Sequence, residues 1–311
     1  MTEPVKKPFI IIAGPTAAGK TELSVALAKA VGGSIISADS MQVYKGFDIG
    51  TAKIRAEEMQ GIPHYLIDVL EPDEPFHVYR FQQMAKQAMR EIYEAGRIPV
   101  LVGGTGFYIQ SVLYDIAFTE EDTDLSYRKE LEQTAKEEGP EVLYKRLAEV
   151  DPQAALEIHP NNVKRVIRAL EFYRETGTPI SEHNEEQRKH ASLYNFAFFV
   201  LNRNRAELYR RINLRVDKML EDGLVSEVEG LLSAGVPKDA LSMQGLGYKE
   251  IAAYLSGEWD YETAVSRLKQ GTRHFAKRQI TWFKREKKVE YIDIREFGGA
   301  EKIADYIQSI L

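Results

Sequence analysis

The chain has 311 residues, 44% of them hydrophobic and 28% charged, a globular composition with room for about two domains that excludes disorder and miniature scaffolds. It contains no cysteine, which excludes disulfide frameworks, thiolate metal sites and a cysteine nucleophile, and a cytoplasmic address is expected. Forty-one Lys and Arg against 47 Asp and Glu give a net charge of -6, which argues against bulk adhesion to nucleic acid or anionic lipid while leaving room for local basic clusters.

In chain order, the first apolar run is residues 9–13, too short for a signal-peptide core. No run approaches the roughly 18 apolar residues of a membrane span, so no membrane partner is expected. Residues 9–13 predict a strand, and residues 22–31 predict a helix from the spacing of Leu23, Leu27 and Ala30. Between them Gly14-Pro15-Thr16-Ala17-Ala18-Gly19-Lys20-Thr21 matches G-x-x-x-x-G-K-[ST]. Such a loop points backbone N–H groups and a helix N-terminus at phosphate oxygens, Lys20 adds a positive charge, and Thr21 offers a hydroxyl to Mg2+. The alternative is a glycine-rich turn with a surface lysine. ATP, GTP and an alkyl diphosphate present the same oxygens, so the loop alone does not identify its ligand.

Apolar runs recur at 34–38, 64–69 and 98–102, with a helical pattern over 79–95. Continuous strands separated by helices predict an α/β fold, a P-loop NTPase-like parallel sheet with helices on both faces. Ligands of such sheets lie beyond the carboxyl ends of the strands, which makes Asp39, closing 34–38, a candidate base or metal ligand. The alternative is an Asx turn. Asp68 is a second candidate, but Glu71-Pro72-Asp73-Glu74-Pro75 follows it and suggests a solvated turn. The run at 98–102 ends in Gly103-Gly104-Thr105-Gly106 without an acid; the two glycines permit close approach of backbone to a ligand, and Thr105 begins the next helix with a hydroxyl that serves a ligand, a plain helix N-cap, or both.

From residue 115 the character changes. Residues 119–141 hold nine acids against three bases, and no strand-like run appears before Asn195. Residues 115–194 are therefore expected to form a helical insertion, with 1–114 and 195–311 forming the core and strands at 195–201 and 289–294. Arg211 and Arg215, spaced i, i+4, suit a diphosphate clamp, or surface salt bridges with Glu207 or Asp217. Residues 267–288 hold nine Lys or Arg against Glu286. Val265, Leu268, Thr272, Phe275, Gln279 and Trp282 predict an inward stripe on this helix; Lys269, Arg273 and Lys277 share another face, either solvated or in contact with phosphates. Lys164, Arg165 and Arg168 form another basic group.

Residues 14–21, Ser-Ala-Asp-Ser-Met-Gln-Val-Tyr-Lys-Gly at 37–46, Asp-Ile-Gly-Thr-Ala-Lys at 48–53 and Val-Gly-Gly-Thr-Gly-Phe-Tyr at 102–108 together resemble the tRNA dimethylallyltransferase family. His-Pro-Asn-Asn-Val-Lys-Arg-Val-Ile-Arg-Ala-Leu-Glu at 159–171, Gly-Leu-Gly-Tyr-Lys-Glu at 245–250 and Thr-Arg-His-Phe-Ala-Lys-Arg-Gln-Ile-Thr-Trp-Phe at 272–283 extend the resemblance over almost the whole chain. Without a C-terminal zinc-finger extension the chain is similar to the bacterial form. The resemblance implies transfer of a dimethylallyl group from its diphosphate to N6 of the adenosine 3′ of the anticodon. Asp39 would be the base and Thr105 its neighbour at the reaction centre. Residues 14–21, Arg211 and Arg215 would hold the diphosphate, with Mg2+ near Thr21. The implied tRNA contacts are Asp39, Ser40, Met41, Gln42, Thr105, Arg128, Lys164, Arg165, Arg168, Gly245, Gly247, Tyr248 and Lys249, joined by Arg273, Lys277 and Arg278 of the basic helix. The insertion would grip the anticodon stem-loop, and a monomer is expected. The residues alone also suit a small-molecule kinase, an adenylate isopentenyltransferase using AMP, or a non-catalytic nucleotide switch.

Overall fold

The computed structural model describes residues 6–118, 125–188, 190–286 and 288–311. The acidic stretch 120–124, for which the sequence suggests no role, lies outside them. The chain divides into two compact units, residues 1–113 with 192–311, and residues 114–191.

The first unit begins with β1 (Pro8–Ala13), α1 (Lys20–Val31), β2 (Gly33–Ala38), α2 (Ala56–Met59), β3 (His64–Tyr65), α3 (Val78–Glu94), β4 (Ile98–Gly103) and α4 (Gly106–Leu113). The second unit holds α5 (Leu125–Glu137), α6 (Pro140–Val150), α7 (Pro152–Glu157), α8 (Val163–Thr176) and α9 (Ile180–Arg188). The chain returns to the first unit through β5 (Asn195–Asn202), α10 (Arg205–Glu221), α11 (Leu224–Ser233), α12 (Tyr248–Leu255), α13 (Tyr261–Phe283), β6 (Glu290–Asp293) and α14 (Ala300–Ile310).

All strand pairs are parallel, in the order β3-β2-β4-β1-β5-β6. Parallel strands need helical crossovers, and strands covered on both faces must be apolar throughout. Every residue of β2, and all of β1 after Pro8, is buried. On one side Leu23 and Leu27 of α1 share a core with Ile303, Ala304 and Ile307 of α14. The second unit has its own core of Leu131, Leu143, Leu147, Val166, Ile167 and Leu170.

The strand expected over 64–69 stops at Tyr65. Leu66 (φ 63°) and Asp68 (φ 55°) lie in the left-handed region, which ends regular pairing. The Asp68 and Val69 amides turn instead to Gln42 O and Val43 O, at 3.2 and 2.9 Å. Asp68 is half-exposed and paired with Lys53.

Candidate active site

The loop from β1 to α1 is built by conformation as much as by composition. Gly14 (φ 145°) passes so close to β5 that a Cβ there would lie 2.9 Å from Leu201 O, and Gly19 (φ 103°) and Ala17 (φ 62°) complete the curl. An alanine in the left-handed region costs on the order of 1 kcal/mol and persists only if neighbours hold it. Cations do this by taking the carbonyls. Lys20 Nζ donates to Gly14 O (3.0 Å) and Pro15 O (2.9 Å), Arg211 Nε to Ala17 O (3.0 Å) and Arg203 Nε to Ala18 O (3.1 Å). Among the described residues the N–H groups of Ala17, Gly19, Lys20 and Thr21 have no hydrogen-bond partner. Bound oxygens beside unclaimed amides make a cradle for an anion.

Burial and then Arg215 lower the Lys20 pKa from 10.5 to about 8, with Asp39 opposing them. Burial and Arg211 lower that of Arg215, with Asp39 again opposing. The Tyr108 pKa is raised by burial, by Tyr44 and by Asp39. These couplings put Asp39, Lys20, Arg215 and Tyr108 in one electrostatic neighbourhood. Asp39 Oδ1 accepts from the Met41 and Gln42 amides at 2.9 and 3.4 Å, an Asx turn, while Oδ2 has no protein partner among the described residues. The two readings of Asp39 therefore coexist: one oxygen shapes the turn, the other is available. Gly103 pairs with Ala38 at the end of the β2–β4 ladder, so Asp39 follows β2 by one residue and Thr105 follows β4 by two, both at the carboxyl ends of adjacent strands. The Thr105 carbonyl accepts from the Tyr108 and Ile109 amides, starting α4.

An arrangement of phosphate cradle, clamp arginines and neighbouring carboxylate suits departure of a phosphorylated group. The family model described as IPP transferase matches residues 42–286. The chain belongs to the IPP transferase family. A second model, isopentenyl transferase, matches residues 8–75. The chain is 57% identical over 305 residues to the tRNA dimethylallyltransferase of Lachnoclostridium phytofermentans, covering 98% of this chain and 97% of that one. It is 48% identical over 311 residues to that of Bacillus cytotoxicus, covering 100% and 98%. The crystal structure of the tRNA delta(2)-isopentenylpyrophosphate transferase of Staphylococcus epidermidis superposes with a TM-score of 0.72 at 43% identity, covering 98% of each chain. A eukaryotic dimethylallyltransferase acting on tRNA gives a TM-score of 0.82 at 30% identity, covering 97% of this chain and 80% of that one.

Several of the residues expected at the site have partners within the protein. The Thr16 amide does not join the cradle, because Gln279 Oε1 takes it at 2.9 Å. Gly103 and Gly104 make room for protein: a Cβ would lie 2.3 Å from Ala38 O at Gly103 and 2.0 Å from Gln279 Nε2 at Gly104. Arg211 pairs with neither Glu207, which binds Arg203, nor Asp217, which binds Lys269. Tyr248 and Gly247 are buried, against protein rather than at the surface. The Tyr248 hydroxyl instead donates to Glu227 Oε1 at 2.6 Å. Arg128 forks onto buried Glu171 at 2.8 and 2.7 Å within the second unit, and Arg273 reaches Asn213 of α10 at 2.7 Å.

Other residues keep the exposure that contact would need. Lys164, Arg165, Lys249, Lys277 and Arg278 are exposed; Ser40, Met41, Gly245 and Arg168 are half-buried. Met41 packs on Gly245, where a Cβ would lie 2.6 Å from Met41 Cε. Gln42 is tied to Ser37 and to the carbonyls of Thr51 and Ala52. The buried stripe of α13 is Ala264, Leu268, Ala276, Gln279 and Phe283, with Val265, Phe275 and Trp282 half-buried beside it.

Sequence reasoning missed Glu227 of α11. Its carboxylate accepts from the amides of Asp48 (3.1 Å), Ile49 (2.7 Å) and Gly50 (3.1 Å) besides the Tyr248 hydroxyl. Tyr248 lies against Gly50, where a Cβ would lie 2.6 Å from its ring. The one available signal was that Gly50 and Tyr248 belong to two separate motifs.

Proposed function

We propose that this chain transfers the dimethylallyl group of dimethylallyl diphosphate to N6 of the adenosine 3′-adjacent to the anticodon of tRNA, releasing diphosphate. What carries the reading is the mutual electrostatic influence of Lys20, Arg215 and Asp39 in a chain whose relatives are tRNA dimethylallyltransferases.

The amine lone pair is delocalised into the purine ring, so nitrogen attack needs proton removal. As the N6–C1 bond forms and the C1–O bond of the donor breaks, the proton passes to the available oxygen of Asp39 and the electron pair leaves on the diphosphate. The cradle amides, Lys20, Arg211 and Arg215 stabilise that leaving charge and hold the donor in line with the acceptor. Thr105, between β4 and α4 at the carboxyl end of the sheet, orients the acceptor.

Among the described residues no group of three or more His, Asp or Glu is arranged to hold a metal. The exposed Thr21 hydroxyl would hold Mg2+, which would supply charge neutralisation to the leaving group. On the RNA side, Lys164, Arg165 and Arg168 of the second unit and Lys277 and Arg278 of α13 contact backbone phosphates. Ser40, Met41, Gly245 and Lys249 lie against the splayed loop. No helix among the described residues is long and apolar enough to cross a membrane.

Incubating the protein with Mg2+, dimethylallyl diphosphate and unmodified tRNA should release diphosphate and add a prenyl group to the tRNA. Release with AMP in place of tRNA would favour a nucleotide acceptor, and no release with either would refute prenyl transfer.

A further inference from the structure

Gln279 sits on α13 with 6% of its surface exposed, and both ends of its carboxamide are used. Oε1 accepts the Thr16 amide at 2.9 Å and Nε2 donates to Gly104 O at 3.1 Å. One helical turn on, the Trp282 indole covers Gly106, where a Cβ would lie 2.0 Å from Cδ1. The two glycines that flank Thr105 are thus each pressed by α13, at i and i+3 on one helical face. Gln279 also reaches the phosphate loop at Thr16, 263 residues away in sequence.

The geometry points to Gln279 as a positioning residue that fixes the spacing between the phosphate cradle and the Thr105 turn. The inference rests on the functional reading above, in which the cradle holds the donor and the turn faces the acceptor. Gln279 touches no reacting atom. A carboxamide fits because it accepts and donates without charge. Methionine of similar length would leave the Thr16 amide and Gly104 carbonyl unpaired in a buried place. Ionised glutamate would keep the acceptor, lose the donor and set a negative charge beside the diphosphate. A misplacement of about 1 Å between reacting groups is enough to lower the rate on the order of a hundredfold.

Gln279→Met and Gln279→Glu test this in the full chain through kcat, the KM values for donor and tRNA, and calorimetric affinity for inorganic diphosphate. For Gln279→Met we expect kcat to fall at least about tenfold, diphosphate affinity to weaken, and the tRNA KM to stay within about twofold. For Gln279→Glu we expect a deficit that shrinks as pH falls, because the protonated acid regains a donor for Gly104 O. A Met variant with wild-type kcat and diphosphate affinity, or a Glu variant whose pH profile overlays the wild type, overturns the inference. So does a loss of activity that matches the unfolded fraction alone. If Gln279→Met fails to fold, Gln279→Glu still gives the pH readout. A wild-type protein that transfers no prenyl group would sink the functional reading instead, while the calorimetry still decides the cradle's dependence on Gln279.

Discussion

Arg211 donates from Nε to the carbonyl oxygen of Ala17 at 3.0 Å, joining residues 194 positions apart. Ala17 has φ 62°, so the guanidinium takes the carbonyl of a strained residue whose amide has no partner among the described residues. A hydrogen bond to a charged group contributes roughly 1.5–3 kcal/mol, less where it is partly exposed. Arg211→Ala should therefore weaken inorganic diphosphate binding about tenfold by calorimetry; unchanged affinity would place Arg211 outside the cradle.

Lys20 makes the cradle sensitive to pH. Its pKa of about 8, against 10.5 ordinarily, follows first from burial and then from Arg215. Diphosphate beside the ammonium favours the charged form, so above about pH 8 binding must take up a proton that it does not need below. Wild-type affinity for inorganic diphosphate should fall between about pH 8 and 10 relative to Lys20→Met, which has no such proton to recruit. Parallel pH curves for the two proteins would contradict this. Folding is affected with the opposite sign. Between about pH 8 and 10.5 the folded chain binds fewer protons at Lys20 than the unfolded chain, so this group alone makes stability rise with pH there.

The Glu227 carboxylate gathers three amides and a hydroxyl. Glu227→Ala should cost about 2 kcal/mol in denaturant unfolding, the scale for unpaired polar groups that are partly shielded. Tyr248→Phe should cost less, because the amides keep their acceptor. A neutral Glu227→Ala would mean that water replaces the carboxylate.

Arg128 and Glu171 give a test within the second unit. Glu171 is 3% exposed and Arg128 39% on the side chain. Removing the arginine leaves a buried carboxylate unpaired, which costs about 3 kcal/mol. Arg128→Ala should lower thermal stability, and adding Glu171→Leu should restore much of it. Lost tRNA binding without lost stability would return Arg128 to the RNA surface.

How much was legible in the sequence depended on whether a local pattern had a local cause. The runs at 9–13, 34–38 and 98–102 became strands because a sheet covered on both faces demands continuous apolar residues. The phosphate loop announced itself because only particular residues permit its backbone. The end of β3 was hidden because Leu66 and Asp68 adopt left-handed conformations to meet the 42–43 backbone. On α13, the true stripe uses the small residues Ala264 and Ala276, whose burial depends on what packs over them, whereas the aromatic Phe275 and Trp282 lie at its margin. The partners of Gln279, Glu227 and Arg211 lie more than 170 residues away, apart from Tyr248 for Glu227. No spacing rule reaches that far.

Asp39→Asn is the most direct probe of the chemistry, since the amide oxygen still accepts from Met41 and Gln42 while the proton acceptor is lost. Single-turnover transfer from dimethylallyl diphosphate to unmodified tRNA should slow by at least about a hundredfold, the scale for a general base, with inorganic diphosphate bound as in the wild type. Transfer at the wild-type rate, with that turn intact, would contradict the role assigned to Asp39.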